Sequence, residues 1–97
     1  MNNKSIEKII RKETRQSDEY TYTYELIERR GKSLADFGMR LYSITVLMKD
    51  ERGQVRRGEA KDIFACKRKA GLFFDKIVRN LATPIDLIYV VEDEITV

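Results

Sequence analysis

Apolar side chains recur at helical spacing in one segment of the chain and at alternate positions in the segments before it. Between residues 70 and 81 the steps between apolar residues are three or one, which places them on one side of a helix with 3.6 residues per turn. The members of this stripe are Ala70, Phe73, Phe74, Ile77, Val78 and Leu81. The spacing predicts a helix that ends near Leu81 or Ala82 and buries the stripe against a sheet.

Thr83 and Pro84 predict that a second helix begins directly after the first. Threonine is a favoured N-cap residue, proline suits the first helical position, and Asp86 stands in the first turn. The segment 84–94 is rich in β-branched residues, which a buried strand would also use. We expect a helix, because apolar residues follow the cap at helical spacing. This second stripe consists of Leu87, Ile88, Val91 and Ile95.

Three segments before the helices have the patterns of strands. In the segment 20–29 aromatic and aliphatic residues alternate with polar ones, which predicts a half-buried strand. The residues on its apolar face are Tyr20, Tyr22, Tyr24 and Leu26. The segment 41–48 is apolar and β-branched, as in a central strand, with Tyr42, Ile44, Val46 and Met48 on its better apolar face. The segment 55–64 is charged, as in an edge strand.

The segments between and before these strands predict loops and leave one element open. Residues 30–38 have the composition of a loop, and residues 50–53 that of a turn. The isoleucines of the segment 4–13 fit either a short helix or a first strand. The sequence therefore predicts an α+β fold, an antiparallel three- to four-stranded meander with two C-terminal helices packed on one face.

Length, composition and charge place the chain among ordinary globular domains. Its 97 residues form one domain, 42% of them hydrophobic and 36% charged, which is outside the range of disordered chains. The net charge of +3 is the balance of 19 basic and 16 acidic residues, so it argues weakly for an anionic partner. Residues 1–16 hold five basic and two acidic residues and are a candidate basic N-terminal arm.

The residue types that are rare or missing limit the chemistry. The chain has no histidine, and Cys66 is its one cysteine, so it has neither an internal disulfide nor a usual structural zinc set. The sequence fits a cytosolic protein, because it has no apolar run long enough for a membrane span and no signal peptide pattern. We expect neither a membrane nor a metal among its partners.

Four short motifs of this chain resemble those of one protein family. They are LYSI at 41–44, DIF at 62–64, NLA at 80–82 and TP..L..VVED at 83–93. In these motifs the chain resembles a family of small uncharacterised bacterial proteins, mainly from Gram-positive anaerobes, that is known as a domain of unknown function. The resemblance implies a short cytosolic protein with strands before helices, and it supports a helix over 84–94. It implies no activity.

No set of residues in the sequence forms a recognisable catalytic constellation. Without histidine, a general base near neutral pH would have to be a carboxylate or a lysine with a strongly shifted pKa. Cys66 has no base partner in the sequence, and a lone cysteine is more often a small hydrophobe than a nucleophile. We therefore predict that the protein is not an enzyme, with no catalytic residues and no cofactor.

Two groups of residues are candidates for binding a partner. The tyrosines at 20, 22 and 24 would lie about 6.6 Å apart on one sheet face, where they could stack unpaired bases while Arg40, Arg56, Arg57 and Lys61 contact phosphates. The competing interpretation, which the pattern favours, is that the helices cover this face. Lys67, Arg68 and Lys69 stand at the start of the first helix. They could bind a phosphate or acidic partner, or lie beside the acidic residues 92–94 of the second helix.

Two functions from different classes follow. The first is a non-catalytic protein-interaction module of adaptor type, with a protein partner or a second copy bound through an edge strand or the outer surface of the helix pair. The alternative is a small nucleic-acid-binding module that uses basic residues and strand tyrosines. The candidate partner-binding residues are Arg56, Arg57, Lys67, Arg68, Lys69, Tyr20, Tyr22 and Tyr24.

Overall fold

The computed structural model describes the backbone of residues 6–30 and 39–96, and the side chains of 7–30 and 39–92. Its elements are β1 (Ile6–Ser17), β2 (Tyr20–Arg30), β3 (Arg40–Lys49), β4 (Val55–Phe64), α1 (Lys67–Arg79) and α2 (Pro84–Thr96). Every strand is antiparallel to its neighbour, in the order β1-β2-β3-β4. The predicted α+β meander with two C-terminal helices is confirmed.

The segment that the sequence left open is strand β1. It pairs with β2 from Ile6 opposite Arg30 to Ser17 opposite Tyr20, with a register shift between Ile9 and Arg11. Residues 6–16 of the candidate basic arm therefore lie in a sheet edge strand. The predicted loop 30–38 falls, beyond Arg30, outside the described residues.

One face of the sheet and both helices enclose the hydrophobic core. The strand residues that alternate onto this face include Tyr24, Leu26, Ile44 and Val46, each at most 1% exposed. Five members of the predicted α1 stripe are buried against them: Ala70, Phe73, Phe74, Ile77 and Val78. α1 contacts β2, β3 and β4, whereas α2 lies mainly on β4 and also contacts β3. The two helices thus form one layer on the same side of the sheet.

α1 ends two residues earlier than the apolar stripe predicts. Leu81 adopts a left-handed backbone conformation with φ of 51°. The N–H of Leu81 donates to the carbonyl of Val78, and that of Ala82 donates to the carbonyl of Ile77. This is the Schellman arrangement, which satisfies the last carbonyl groups of a helix. Leu81 still packs against the core from this position.

The predicted cap of α2 is confirmed, but one residue of its predicted stripe is not buried. The backbone N–H of Asp86 donates to Thr83 Oγ1, and the N–H of Thr83 donates to Asp86 Oδ2, each over 3.1 Å. This reciprocal pair is a capping box with aspartate in place of glutamate. Leu87 is buried as expected, whereas Ile88 is 55% exposed. Ile95 lies outside the described side chains.

On the face of the sheet away from the helices, polar side chains form several hydrogen bonds. Arg29 forms two bonds to the carboxylate of Asp62, at 3.0 and 2.8 Å. The backbone N–H of Asp62 donates to Ser43 Oγ, and Thr45 Oγ1 donates to Glu25 Oε1. These bonds satisfy the polar groups of Ser43 and Thr45, which are 5% and 2% exposed. They allow this face of the sheet to hold buried polar residues.

Tyr24 joins the sheet to the segment between the helices. Its ring is fully buried, and its hydroxyl donates to the carbonyl of Ala82 over 2.9 Å. Burial raises the pKa of Tyr24 from 10.0 to about 12, with a smaller contribution from Tyr22. The unfolded chain therefore releases this proton near pH 10 and the folded chain near pH 12, so the folded state holds more protons within that window.

We expect the free energy of unfolding to fall as the pH rises from about 10 to about 12, by about 2 to 3 kcal/mol on account of Tyr24. In the variant Tyr24→Phe this part of the pH dependence should be absent. At neutral pH its free energy of unfolding should be lower by about 1 to 3 kcal/mol, because the carbonyl of Ala82 is left unpaired. Urea unfolding across the pH range measures both effects. Equal alkaline losses in the two proteins would contradict the prediction.

Candidate protein-interaction surface

The outer side of α2 is an exposed apolar stripe. Ile85, Ile88 and Tyr89 are 58%, 55% and 63% exposed. Their spacing of three and one places them next to one another on one side of the helix, within about one turn. Leu87, on the opposite side, is fully buried in the core. α2 is therefore apolar on both sides, a pattern that is typical of a helix covered on both sides.

The charges of α2 are all acidic. Its sequence, PIDLIYVVEDEIT, has no lysine or arginine. Asp86 and Glu92, the acidic residues with described side chains, are both exposed. Glu92 continues the apolar stripe, since it follows Tyr89 by three residues and Ile88 by four. The outer surface of α2 thus combines a large apolar patch with negative charge.

The outer side of α1 has the opposite character. The exposed residues that share this side are Arg68, Leu72, Asp75, Lys76 and Arg79, at steps of four, three, one and three. Leu72 is 58% exposed among them. The single acidic residue, Asp75, is paired with Arg11 of β1 at 2.7 Å. This side of α1 is therefore positively charged around one apolar residue.

The basic cluster predicted at 67–69 lies at the exposed start of α1. Arg68 belongs to the outer side of the helix described above, and Lys69 borders it. The preceding Cys66 is exposed, and hydrogen bonding from the backbone N–H of Lys69 lowers the pKa of its thiol. The side chains of residues 93 and 94, with which the cluster could have paired, lie outside the described part of the chain.

Arg56 and Arg57 do not join that cluster. As neighbours in β4 they point to opposite faces of the sheet. Arg57 is on the face of the sheet away from the helices, 3.5 Å from the carboxylate of Glu59. Arg56 lies opposite Met48 at the far end of the strand pair, beside Tyr20. The structure thus separates these arginines from the basic side of α1.

The tyrosines of β2 lie on the helix-covered face. Tyr22 and Tyr24 are 8% and 0% exposed, and their rings stack on each other at 6.2 Å between centroids. Tyr20 is half-buried and its ring lies 6.3 Å from that of Tyr22. The rings of Tyr22 and Tyr24 are already occupied by core contacts, so they are not accessible to nucleic-acid bases. The interpretation that the helices cover this face accounts for them.

The apolar spacing of α2 did not identify the outer stripe. It predicted a single buried side and assigned Ile88 to that side. Ile85 and Tyr89 were then left without a role, in a helix that has apolar residues all round. A helix with that composition indicates two covered sides, but it does not show which of them faces the sheet.

Within the described part of the chain, histidine, cysteine, aspartate and glutamate form no group of three that could hold a metal ion. The helices described here include none that is long and apolar enough to cross a membrane.

Comparisons with known proteins give one match. A family model with the description "Family of unknown function (DUF6514)" matches residues 3–97. No curated protein and no solved structure matches the chain.

Proposed function

The chain belongs to the DUF6514 family, which has no known function, and we propose from its surface that it is a non-catalytic protein-interaction module of adaptor type. The observation that carries the proposal is the exposed stripe of Ile85, Ile88 and Tyr89 on the outer side of α2. The binding surface is the side of the two helices that faces away from the sheet, which combines this stripe on α2 with the basic side of α1.

The exposed apolar area of this stripe can provide the free energy for binding a partner. Full burial of a large apolar side chain gains about 1.5 to 3 kcal/mol. Each of the three stripe residues is more than half exposed. A partner that covers all three therefore gains a substantial part of this burial free energy from each of them. Tyrosine also contributes strongly at many protein interfaces, because its large ring is rigid and its hydroxyl can stay hydrated at the rim.

Nucleic-acid binding, the alternative function, has weaker support. The buried rings of Tyr22 and Tyr24 do not offer a stacking platform. The cleft between β1 and α1 is lined by three arginines, Arg11, Arg15 and Arg79. Arg11 is paired with Asp75, and Arg15 with Glu13 at 3.1 Å. Much of the positive charge in this cleft is thus neutralised within the protein, which favours the protein-interaction function.

We also propose that the module works in the bacterial cytosol. The support is the resemblance of its motifs to those of small bacterial proteins and the presence of a single, free cysteine, Cys66.

A photo-crosslinker placed on the stripe tests the proposed function. Tyr89 is replaced by benzoylphenylalanine, a larger photoreactive aromatic residue that the exposed position can accommodate, and the full chain is irradiated in cells of the source organism. The matched control carries the same group at Arg52, an exposed residue of the turn between β3 and β4. We expect a discrete adduct from position 89 and none from position 52. Mass spectrometry then identifies the crosslinked peptides.

The outcome decides whether the surface is used. A protein adduct that is specific to position 89 supports the function. Its absence, in cells where the labelled chain is abundant and folded, overturns the proposal.

A further inference from the structure

We propose that the occupant of this surface is a second copy of the same chain, in a two-fold dimer in which α1 of each copy covers α2 of the other. This inference rests on the proposed function and names its partner. It is carried by the opposite character of the two outer helix sides, one basic and the other apolar and acidic.

The outer sides of the two helices carry opposite charge. α1 has five basic residues and one acidic residue, and the acidic one is paired with Arg11. α2 has acidic residues and no basic residue. A contact between α1 of one copy and α2 of the other therefore brings opposite charges together. The long stems of Lys76 and Arg79 can cover apolar area on such a contact, and a guanidinium can stack on the ring of Tyr89.

The geometry of the two helices also fits this contact. Both helices have 13 residues, which corresponds to a length of about 20 Å each. They lie on the same face of the sheet, and a two-fold axis that runs between two facing layers along the line between the helices places each α1 over the other copy's α2. The two contacts are identical by symmetry and form together. The assembly is then closed, and it leaves no free copy of the surface for further growth.

Other ways of joining two copies are less favourable. Pairing α2 with its own copy would cover the apolar stripe but bring the acidic side chains of Asp86 and Glu92 together. Pairing the free edge of β1 with its own copy would bring together strands that carry Lys8, Arg11 and Lys12, and the register shift after Ile9 interrupts that edge. Edge lysines and irregularities of this kind disfavour strand association. Contact between α1 and α2 avoids both problems.

Charge reversal in mixed samples tests the proposed pairing. Lys76→Glu makes the outer side of α1 less basic, and Glu92→Lys makes that of α2 less acidic. In a homodimer of either variant, both contacts join helix sides whose charges are less complementary than in the unmodified chain. In a dimer with one copy of each variant, one contact has the original residues on both helices. In the other contact both substitutions are present, so the basic and the acidic residue have exchanged helices.

Sedimentation velocity over a range of protein concentrations gives the dissociation constants. We expect the unmodified chain to form a dimer that weakens with salt, and each variant alone to dissociate at least about tenfold more readily. A mixture of the two variants should recover most of the lost affinity. Far-ultraviolet circular dichroism checks that each variant is folded.

A truncation of the apolar stripe gives an independent readout. Tyr89→Ala should weaken the dimer by at least about tenfold, since aromatic residues at an interface centre contribute strongly to affinity. The matched control is Val55→Ala. Val55 is exposed to a similar extent but belongs to edge strand β4 and is not on the helix layer. This control should leave the dissociation constant within about twofold.

Each result bears on the inference. Weakening by both reversals, recovery on mixing and loss with Tyr89→Ala support the dimer. A chain that stays monomeric, or a dimer that the reversals leave unchanged, overturns it, as does a mixture without recovery. If the chain is monomeric but the position 89 crosslinker still gives an adduct with another protein, the proposed function stands and the second copy as partner does not.

Discussion

The variant Phe74→Ala should lose about 3 to 5 kcal/mol of the free energy of unfolding, the largest effect we expect from one substitution in this chain. Phe74 is fully buried between α1 and the sheet, and the guanidinium of Arg11 lies 4.8 Å from the centre of its ring. Truncation removes the apolar contacts, leaves a cavity, and deprives Arg11 of its aromatic partner. A domain of this size has a total stability of about 5 to 15 kcal/mol.

Urea unfolding at neutral pH, followed by circular dichroism, measures this loss. Val55→Ala is the control, because Val55 is 56% exposed and its truncation should change stability by no more than about 0.5 kcal/mol. Both variants and the unmodified chain are compared at one protein concentration, so that association contributes equally. A loss below about 1 kcal/mol for Phe74→Ala would show that its ring is not packed as described.

The position of Phe74 was predictable because α1 has one buried side. Where polar and apolar residues separate cleanly around a helix, spacing alone identifies the side that faces the sheet, and five of the six predicted residues are buried. The exact end was not predictable in the same way. Leu81 continues the apolar spacing, but its backbone is left-handed and the helix has already ended.

The first strand could not be assigned from its own residues. Ile6, Ile9 and Ile10 do not alternate, because the register shift between Ile9 and Arg11 breaks the two-residue period of the strand. Its conformation is set by the long pairing with β2, which is a tertiary contact. The order of apolar and polar residues within the segment does not reveal such a contact.

The sequence suggested the outer surface of the helix pair as a binding surface, which stays a prediction, and it did not single out the exposed apolar residues of α2. The sequence placed Arg68 and Lys69 correctly at an exposed helix start. It assigned Ile88 to the core, because apolar residues on two sides of a helix cannot be separated by spacing when both sides are apolar. Which side faces the sheet is decided by where Pro84 and Leu87 pack, and the sequence does not contain that information in any local form.

The position of α2 depends on a close approach between its first turn and β4. Gly58 of β4 lies directly below Pro84, so a Cβ atom at residue 58 would be 2.8 Å from both Pro84 Cα and Pro84 O. Real contacts of a Cβ atom are longer, and these two neighbours are a backbone atom and a carbonyl oxygen that cannot move without the helix. The absence of a side chain at Gly58 therefore allows α2 to rest on the sheet.

Gly58→Ala should accordingly lose about 1 to 3 kcal/mol, as expected for overpacking in a well-packed contact. Gly71→Ala is the matched control with the opposite sign. Gly71 lies in the interior of α1, and a Cβ atom there would meet nothing within 4 Å. An alanine in a helix interior is more stable than glycine by about 0.5 to 1 kcal/mol. The free energy of unfolding measured in urea should therefore fall for Gly58→Ala and rise for Gly71→Ala, although the chemical change is the same.

The same pair of variants also tests whether the surface depends on how α2 is seated. Because Ile85 follows Pro84 directly, a displaced first turn moves the apolar stripe relative to α1. Gly58→Ala should then weaken the dimer as well as the fold, whereas Gly71→Ala should leave association unchanged. If Gly58→Ala were as stable as the unmodified chain, the close contact between Gly58 and Pro84 would be wrong. If it lost stability but kept full association, the stripe would not depend on that contact.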